Sequence, residues 1–182
     1  RALTQYFIDK GVKGVYVNGS SGECIYLSVA DRKLILENVM EVAKGKLTVI
    51  AHVACNNTKD SVELAKHAES LGVDAIAAIP PIYFRLPDYS IAKYWNDMSA
   101  AAPNTDFVIY NIPQLSGTTL TPALYAEMRK NPRVIGAKAG IGGTYAVMPD
   151  LFLKLNQLII DKDLDRAKEL QHAINSVIYK MV

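Results

Sequence analysis

The segment GVYVNGSSGE, residues 14–23, indicates the fold of this chain. It begins with a short apolar run, Gly14–Asn18, and continues into a turn of glycine and serine, residues 19–22. A run that is apolar at almost every position is typical of a strand in a parallel sheet, because such strands are buried on both faces. The turn then places hydroxyl and backbone N–H groups at the carboxyl end of that strand.

The same alternation of strand-like and helix-like segments continues along the chain. Four more apolar runs predict strands, at Leu47–Val53, Val73–Ile79, Asp106–Asn111 and Arg133–Ala137. Amphipathic segments between them predict helices, at Ser28–Lys44, Thr58–Leu71, Asp88–Ala102 and Thr121–Lys130. This strict order of strand and helix predicts an α/β protein with a parallel sheet.

Polar residues at the strand ends favour a closed barrel over an open, doubly wound sheet. Asn18, Tyr110 and Lys138 stand where strands end, and the active site of a (β/α)8 barrel assembles at the carboxyl ends of its strands. An open sheet more often has a glycine-rich phosphate loop after its first strand. The comparable segment here, GIGGTY at 140–145, has Tyr145 in place of the last glycine. The predicted fold class is therefore α/β, a (β/α)8 TIM barrel.

The predicted barrel is incomplete in this sequence. A complete barrel of this kind takes about 250 residues, whereas the chain has 182 and carries five clear strands and part of a sixth. After Arg133–Ala137 the next strand-end segment, AGIGGTYAV at 139–147, follows at once, although parallel neighbours need a crossover of about a dozen residues. We expect one partial barrel domain, 1–182, that lacks the first strand, a segment near residues 137–140 and the C-terminal helices. The alternative is a small fold that is not a barrel.

The composition excludes several classes of protein. Half of the residues are apolar, 21% are charged and the formal net charge is +2. Because the basic residues form no stripe, nucleic acid is not an expected partner. The longest apolar stretch is interrupted by Pro80 and Pro81 and is too short to cross a membrane. Cys24 and Cys55 have no metal-ligand spacing and suit a reducing compartment, and no signal peptide is visible, so we expect a cytoplasmic protein without a metal site.

Lys138 is the first candidate for catalysis. It ends an apolar run, and a desolvated lysine at the mouth of a barrel has a lowered pKa and acts as a neutral nucleophile near pH 7. Such an amine forms a Schiff base with a ketone, and the protonated imine withdraws electrons while a carbon–carbon bond is cleaved. The alternative is a lysine that extends to solvent without a chemical role.

Tyr110 and the turn at Ser20 and Ser21 complete the candidate site. The phenol can pass a proton to or from a substrate hydroxyl, and the IPQLSG turn that follows, residues 112–117, would hold it in place. The turn at Ser20 and Ser21 can bind a carboxylate through its hydroxyl and N–H groups. The alternatives are a packed tyrosine and an ordinary turn. His52 lies within a predicted strand and is expected to be a core histidine.

Several motifs together resemble a known superfamily. They are GVYVNGSSGE at 14–23, IAHVAC at 50–55, YNIPQLSG at 110–117, the strand-terminal GAK at 136–138 and GIGGTYAVM at 140–148. In this order they are similar to the N-acetylneuraminate lyase and dihydrodipicolinate synthase superfamily of class I, pyruvate-dependent aldolases. The resemblance covers nearly the whole chain. It implies a (β/α)8 barrel that works without a cofactor, through a lysine imine with pyruvate.

The resemblance implies a role for five residues. Lys138 looks like the Schiff-base lysine that captures pyruvate, and its spacing from Tyr110 agrees with the family pattern. Tyr110 looks like the tyrosine that donates and accepts the proton. Ser20 and Ser21 match the loop that holds the pyruvate carboxylate, and Gly143 falls where the lyase motif usually has a serine that touches the sugar's hydroxylated tail. Because a segment is missing beside it, Lys138 belongs either to the strand before it or to the segment after it.

The turn after Tyr110 favours the lyase branch of the superfamily. Synthases of the lysine pathway typically have an arginine there to bind a second carboxylate, whereas this chain has Gln114-Leu115-Ser116. The resemblance thus implies reversible cleavage of N-acetylneuraminate to N-acetylmannosamine and pyruvate, by a homotetramer in which Tyr83 and Phe84 meet a neighbouring subunit. One alternative is a related aldolase, such as 4-hydroxy-tetrahydrodipicolinate synthase or a 2-keto-3-deoxy sugar-acid aldolase. Another, of a different class, is an inactive truncated protein that only binds a ligand.

Overall fold

The computed structural model describes residues 1–138 and 143–181, and only the backbone of residues 138, 143–144 and 179–181. The chain divides into two compact units, each described by itself. The first comprises Arg1 and Lys13–Gly140, and the second comprises Ala2–Val12 and Ile141–Val182. The prediction of a single domain over 1–182 stays a prediction.

The first unit is a parallel sheet with helices in the connections. Its strands are β1 (Gly14–Val17), β2 (Thr48–His52), β3 (Ala75–Ala78), β4 (Asp106–Tyr110) and β5 (Val134–Lys138). Its helices are α2 (Val29–Ala43), α3 (Thr58–Leu71), α4 (Asp88–Ala101), α5 (Pro113–Ser116) and α6 (Pro122–Met128). Two 3₁₀ turns, Ser20–Gly22 and Cys24–Tyr26, follow β1.

The strands lie in the sheet in the same order as in the chain, β1-β2-β3-β4-β5, and every neighbouring pair is parallel. A doubly wound sheet reverses its strand order at a switch point, and no reversal occurs among these five strands. Each connection therefore moves the chain one strand further in the same direction. That is the order in which a (β/α)8 barrel is built.

The predicted helices and strands are confirmed, with ends that differ by a few residues. Helix α3 occupies the predicted range, because the side chain of Asn57 accepts a hydrogen bond from the Asp60 N–H at its start and Gly72, with φ of +76°, ends it. Strand β3 is shorter than the predicted Val73–Ile79, since hydrogen-bonded pairing with its neighbours covers only Ala75–Ala78. All four of its residues are buried.

The second unit is helical. It contains α1 (Ala2–Asp9), a 3₁₀ turn (Gly143–Ala146), α7 (Pro149–Ile160) and α8 (Leu164–Met181). Within it, the Lys10 ammonium lies 2.8 Å from the Asp150 carboxylate. Among the described residues, no helix has both the length and the apolar character that a bilayer-spanning segment needs.

Candidate active site

The carboxyl ends of β1 and β4 bring together two residues of the predicted site. The hydroxyl oxygen of Ser20 lies 3.5 Å from the phenol oxygen of Tyr110, and either group can donate across that distance. Tyr110 is buried, with 7% of its surface exposed, whereas Ser21 is exposed. Ser20 and Tyr110 are 90 residues apart in the chain, so the pairing of the strands creates this contact.

Two aromatic neighbours hold the ring of Tyr110. Its centroid lies 5.4 Å from that of Tyr16 and 6.1 Å from that of His52, and both contacts are edge-to-face. Burial raises the pKa of the Tyr16 phenol far above its usual range, and the neighbouring Tyr110 adds to that rise. Tyr16 therefore stays protonated at neutral pH and acts as a wall of the site rather than as a base.

The loop after β1 has a backbone that few residues tolerate. Asn18 has φ of +58° and Glu23 has φ of +54°, so the 3₁₀ turn Ser20–Gly22 lies between two left-handed residues. A Cβ atom on Gly19 would lie 2.6 Å from two ring carbons of Tyr16. Only glycine lets the backbone pass this close to the ring, which explains the glycine directly before the two serines.

A buried arginine joins the ends of β1 and β2. Arg32, on α2, is 2% exposed, and its guanidinium donates to the backbone oxygens of His52 at 2.7 Å and Ala54 at 2.8 Å and to the Cys55 sulfur at 3.1 Å. No carboxylate in the described part of the chain forms an ion pair with it. The guanidinium thus binds the chain at the end of β2 through two backbone oxygens and the Cys55 sulfur.

Sequence reasoning missed Arg32, although a signal was present. The residues that α2 buries are Arg32, Leu36, Met40 and Ala43, which follow the spacing of one helix face. A charged residue on an otherwise apolar stripe indicates a buried polar network. The spacing of these residues can be read from the sequence. The groups that bond to the guanidinium cannot.

The turn after Tyr110 contains a short helix and several hydrogen bonds. Pro113 occupies the first turn of α5, and Gly117, with φ of +69°, ends that helix. The Ser116 hydroxyl donates to the backbone oxygen of Ile112 at 3.0 Å. At the start of the loop, the Asn111 side chain accepts a hydrogen bond from the Leu120 N–H. These bonds anchor the chain that leaves the end of β4.

Lys138 is the last residue of β5, and its Cα is the register partner of that of Tyr110 in the neighbouring strand. Its side chain lies outside the described residues, so its role as the Schiff-base lysine stays a prediction. Gly143 begins the 3₁₀ turn of the second unit, and its contact with a substrate stays a prediction as well.

The two cysteines are not poised as nucleophiles. Burial raises the pKa of the Cys24 and Cys55 thiols, and the positive charge of Arg32 only partly opposes that rise. A thiol that keeps its proton at neutral pH is a weak nucleophile. In the described ranges, no three His, Cys, Asp or Glu side chains form a cluster that could hold a metal ion.

A cavity of about 330 Å³ lies at the opposite, amino-terminal end of the sheet. Three lysines line it, at Lys13, Lys44 and Lys46. Lys44 donates to the backbone oxygen of Leu71 at the end of α3. Among the predicted site residues whose side chains the structure describes, none borders this cavity.

Comparison with known proteins identifies close relatives. An N-acetylneuraminate lyase of Mediterraneibacter gnavus is 59% identical over an alignment that covers 100% of this chain and 70% of that protein. The corresponding lyase of Escherichia coli O1:K1 is 32% identical and is matched over 73% of its length. The first alignment runs over 220 positions, whereas this chain has 182 residues. The relative therefore has residues within the matched span that this chain lacks, as expected for a missing internal segment.

Solved structures agree with these matches. The wild-type sialic acid aldolase of Ruminococcus gnavus superimposes with a TM-score of 0.96 at 59% identity, over 99% of this chain and 73% of that one. A dihydrodipicolinate synthase of Acinetobacter baumannii, 20% identical with a TM-score of 0.88 over 97% of this chain and 74% of that one, shares the fold. These likenesses confirm the predicted barrel class. The chain forms part of such a barrel. A model of the dihydrodipicolinate synthetase family matches residues 1–160, and the chain belongs to that family.

Proposed function

We propose that this chain is an N-acetylneuraminate lyase, a class I aldolase that reversibly cleaves N-acetylneuraminate to N-acetylmannosamine and pyruvate. The observation that carries the proposal is the 59% identity over the whole chain to a lyase of that name. The site geometry supports it, because the Ser20 and Tyr110 hydroxyls meet at the carboxyl ends of the strands. The backbone of Lys138 pairs with that of Tyr110.

The first chemical step belongs to Lys138. Its neutral amine attacks the C2 ketone of open-chain N-acetylneuraminate, and loss of water leaves a protonated imine. The imine draws electrons from the C3–C4 bond. When that bond breaks, the electron pair moves into an enamine, which is then protonated at C3 and hydrolysed to pyruvate and free lysine. No cofactor or metal ion is required, since the imine itself is the electron sink.

The second step belongs to Tyr110. Its phenolate oxygen accepts the proton of the C4 hydroxyl as the C3–C4 bond breaks, so that N-acetylmannosamine leaves as an aldehyde, and the phenol then returns this proton to C3 of the enamine. The Ser20 hydroxyl lies 3.5 Å from the Tyr110 hydroxyl and takes part in this proton transfer. Ser20 and Ser21 also hold the carboxylate of the 2-oxo acid.

Borohydride reduction tests the imine directly. With pyruvate present, reduction should attach the three-carbon unit irreversibly to the peptide that contains Lys138, as mass analysis would show. Lys138→Met should abolish both labelling and lyase activity, whereas Lys130→Met, an exposed lysine after α6, should change neither. An active protein in which the Lys138 peptide stays unlabelled contradicts the proposal.

Substrate choice separates the lyase from its relatives. The turn after Tyr110 carries an exposed Leu115 and no cation, which suits a neutral polyol better than a substrate with a second carboxylate. We therefore expect cleavage of N-acetylneuraminate and no condensation of pyruvate with aspartate semialdehyde. Condensation without cleavage would favour a synthase, and ligand binding without either reaction would favour an inactive protein.

We also propose a cytoplasmic homotetramer. In the loop after β3, Tyr83 is 89% exposed with φ of +85°, and Phe84, 72% exposed, stacks on it edge-to-face at 4.8 Å. Exposed neighbouring aromatic residues are typical of protein interfaces. Sedimentation should give four times the 20.0 kDa mass of the chain, and Tyr83→Ser should lower that mass. Sedimentation at the mass of one chain would contradict the assembly.

A further inference from the structure

His52 is a buried residue that contacts both parts of the candidate site. It ends β2 and is 2% exposed. Its ring meets the ring of Tyr110 edge-on, and its Nδ1 lies 2.9 Å from the backbone oxygen of Asn18. The sequence predicts a core histidine here, and its burial agrees. Its hydrogen bond and ring contact also connect two parts of the candidate site.

The partners of the two ring nitrogens determine where the proton lies. The backbone oxygen of Asn18 can only accept, so Nδ1 must donate to it. On the other side of the ring, the Ile79 N–H donates to Nε2 at 3.4 Å, so Nε2 accepts. Arg32 lies 3.4 Å from Nδ1 but donates at 2.7 Å to the His52 backbone oxygen instead. These contacts favour the tautomer with its proton on Nδ1.

The accepting carbonyl belongs to a left-handed corner of the backbone. Asn18 is left-handed, with φ of +58°, and is 6% exposed. Its side chain donates to the Arg32 backbone oxygen at 2.8 Å, and its own backbone oxygen accepts from His52. Asparagine adopts this conformation more readily than other non-glycine residues. The two bonds hold the corner from opposite sides, directly before Gly19 and Ser20.

We propose that His52 is a positioning residue for the lyase reaction: the proton on Nδ1 holds the Asn18 corner and thereby keeps the Ser20 hydroxyl against Tyr110. The proposal rests on the proposed function in that Ser20 and Tyr110 must act on the substrate. Without the bond, the corner relaxes, and the Ser20 hydroxyl moves away from the proton relay. A displacement of about 1 Å at such a group costs about 100-fold in rate.

Two amide variants separate the two ring nitrogens. His52→Asn places an amide nitrogen near the position of Nδ1 and can still donate to Asn18, whereas His52→Gln places it near Nε2. We expect kcat to stay within about threefold in His52→Asn and to fall about 100-fold in His52→Gln, with less than about a threefold change in KM. His67→Gln is the matched control, because His67 lies on α3 and contacts Glu37 of α2, and it should keep full activity.

His52→Phe provides a second, independent test. It keeps an aromatic ring beside Tyr16 and Tyr110 but cannot donate to Asn18, so kcat should fall as in His52→Gln. Equal kcat in all His52 variants, or a Phe variant more active than the Asn variant, would overturn the positioning role. If the unaltered protein neither cleaves N-acetylneuraminate nor forms a borohydride-trapped adduct, the proposed function itself fails. Activity in the unaltered protein with equal activity in the variants therefore refutes this inference alone.

Discussion

Tyr110 combines the features that proton transfer needs. It is 7% exposed, two rings pack against it, and the Ser20 hydroxyl lies 3.5 Å from its own. Its backbone leads at once into the turn that Pro113 and Gly117 stiffen. These contacts orient the phenol at the strand ends, and orientation of this kind would lower the barrier of the proposed proton transfer.

Removal of one oxygen tests the role of Tyr110. We expect Tyr110→Phe to keep the ring contacts and the fold but to lower kcat for cleavage between about 100-fold and 10,000-fold, because general acid–base catalysis contributes on that scale. Borohydride trapping of pyruvate should still label the chain, since imine formation depends on Lys138.

Tyr125→Phe is the matched control, because Tyr125 lies on α6 away from the strand ends. It should retain full kcat. A Tyr110→Phe variant with activity similar to that control would remove Tyr110 from the mechanism.

Helix α2 shows how one element serves both stability and the site. At its start, the Ser28 hydroxyl accepts a hydrogen bond from the Asp31 N–H at 3.1 Å, and the Asp31 carboxylate accepts from the Ser28 N–H at 3.3 Å. This capping box satisfies two backbone N–H groups at the N-terminus of the helix. Directly after Asp31, the same helix buries Arg32, whose guanidinium donates to the backbone oxygens of His52 and Ala54.

Loss of the cap should be measurable. We expect Ser28→Ala to lower the free energy of unfolding by about 1 kcal/mol, as determined by urea denaturation. Ser70→Ala is the control, because Ser70 is exposed near the end of α3 and bonds only to the His67 backbone oxygen. It should stay within about 0.5 kcal/mol of the unaltered protein, and an equal loss in both variants would contradict the capping argument.

Gly14 allows β1 to lie close to β2. A Cβ atom at this position would stand 2.6 Å from the backbone oxygen of Thr48, and a backbone group cannot swing aside as a flexible side chain can. We expect Gly14→Ala to lower the free energy of unfolding by about 1–3 kcal/mol. Gly136→Ala, in β5, is the matched control because its Cβ would meet no described atom within 4 Å. A Gly14→Ala variant as stable as the control would refute the close approach.

At the scale of the molecule, the first unit buries several groups that must stay protonated. Burial raises the pKa of the thiols of Cys24 and Cys55 and of the phenols of Tyr16 and Tyr94. The folded chain therefore keeps protons that the unfolded chain loses at a lower pH. The unfolded state gains from ionisation as soon as the pH exceeds the ordinary thiol value of about 8.5.

Stability should accordingly fall in alkali. We expect the free energy of unfolding, measured by urea denaturation, to be constant from about pH 7 to pH 8 and to decrease between about pH 8.5 and pH 10.5. Cys24→Ala removes one of the four groups and should show a smaller decrease. A stability that is independent of pH across this alkaline range would contradict the burial of these groups as neutral species.

The amino-acid sequence was enough to predict the order of strands and helices, the cap at Ser28 and the helix end at Gly72. It suggested Thr58 as the cap of α3, whereas the structure places that cap at Asn57. These features depend on residues within a few positions of each other, so periodicity and capping chemistry reveal them. The sequence also indicated Ser20 and Tyr110 as candidates, because polar residues that follow apolar runs can be recognised without a structure. The resemblance to a family extended that list to Lys138 and Gly143.

Only the tertiary structure decided which of these groups meet. The contact of Ser20 with Tyr110 joins residues 90 positions apart, and it exists because three intervening strand pairings set the register between β1 and β4. Three further features likewise depend on partners from other elements. They are the left-handed corner at Asn18, the proton on His52 Nδ1 and the buried charge of Arg32. Local sequence carries the propensities of a residue, whereas the partners that satisfy a buried polar group come from distant segments and are known only once the strands have paired.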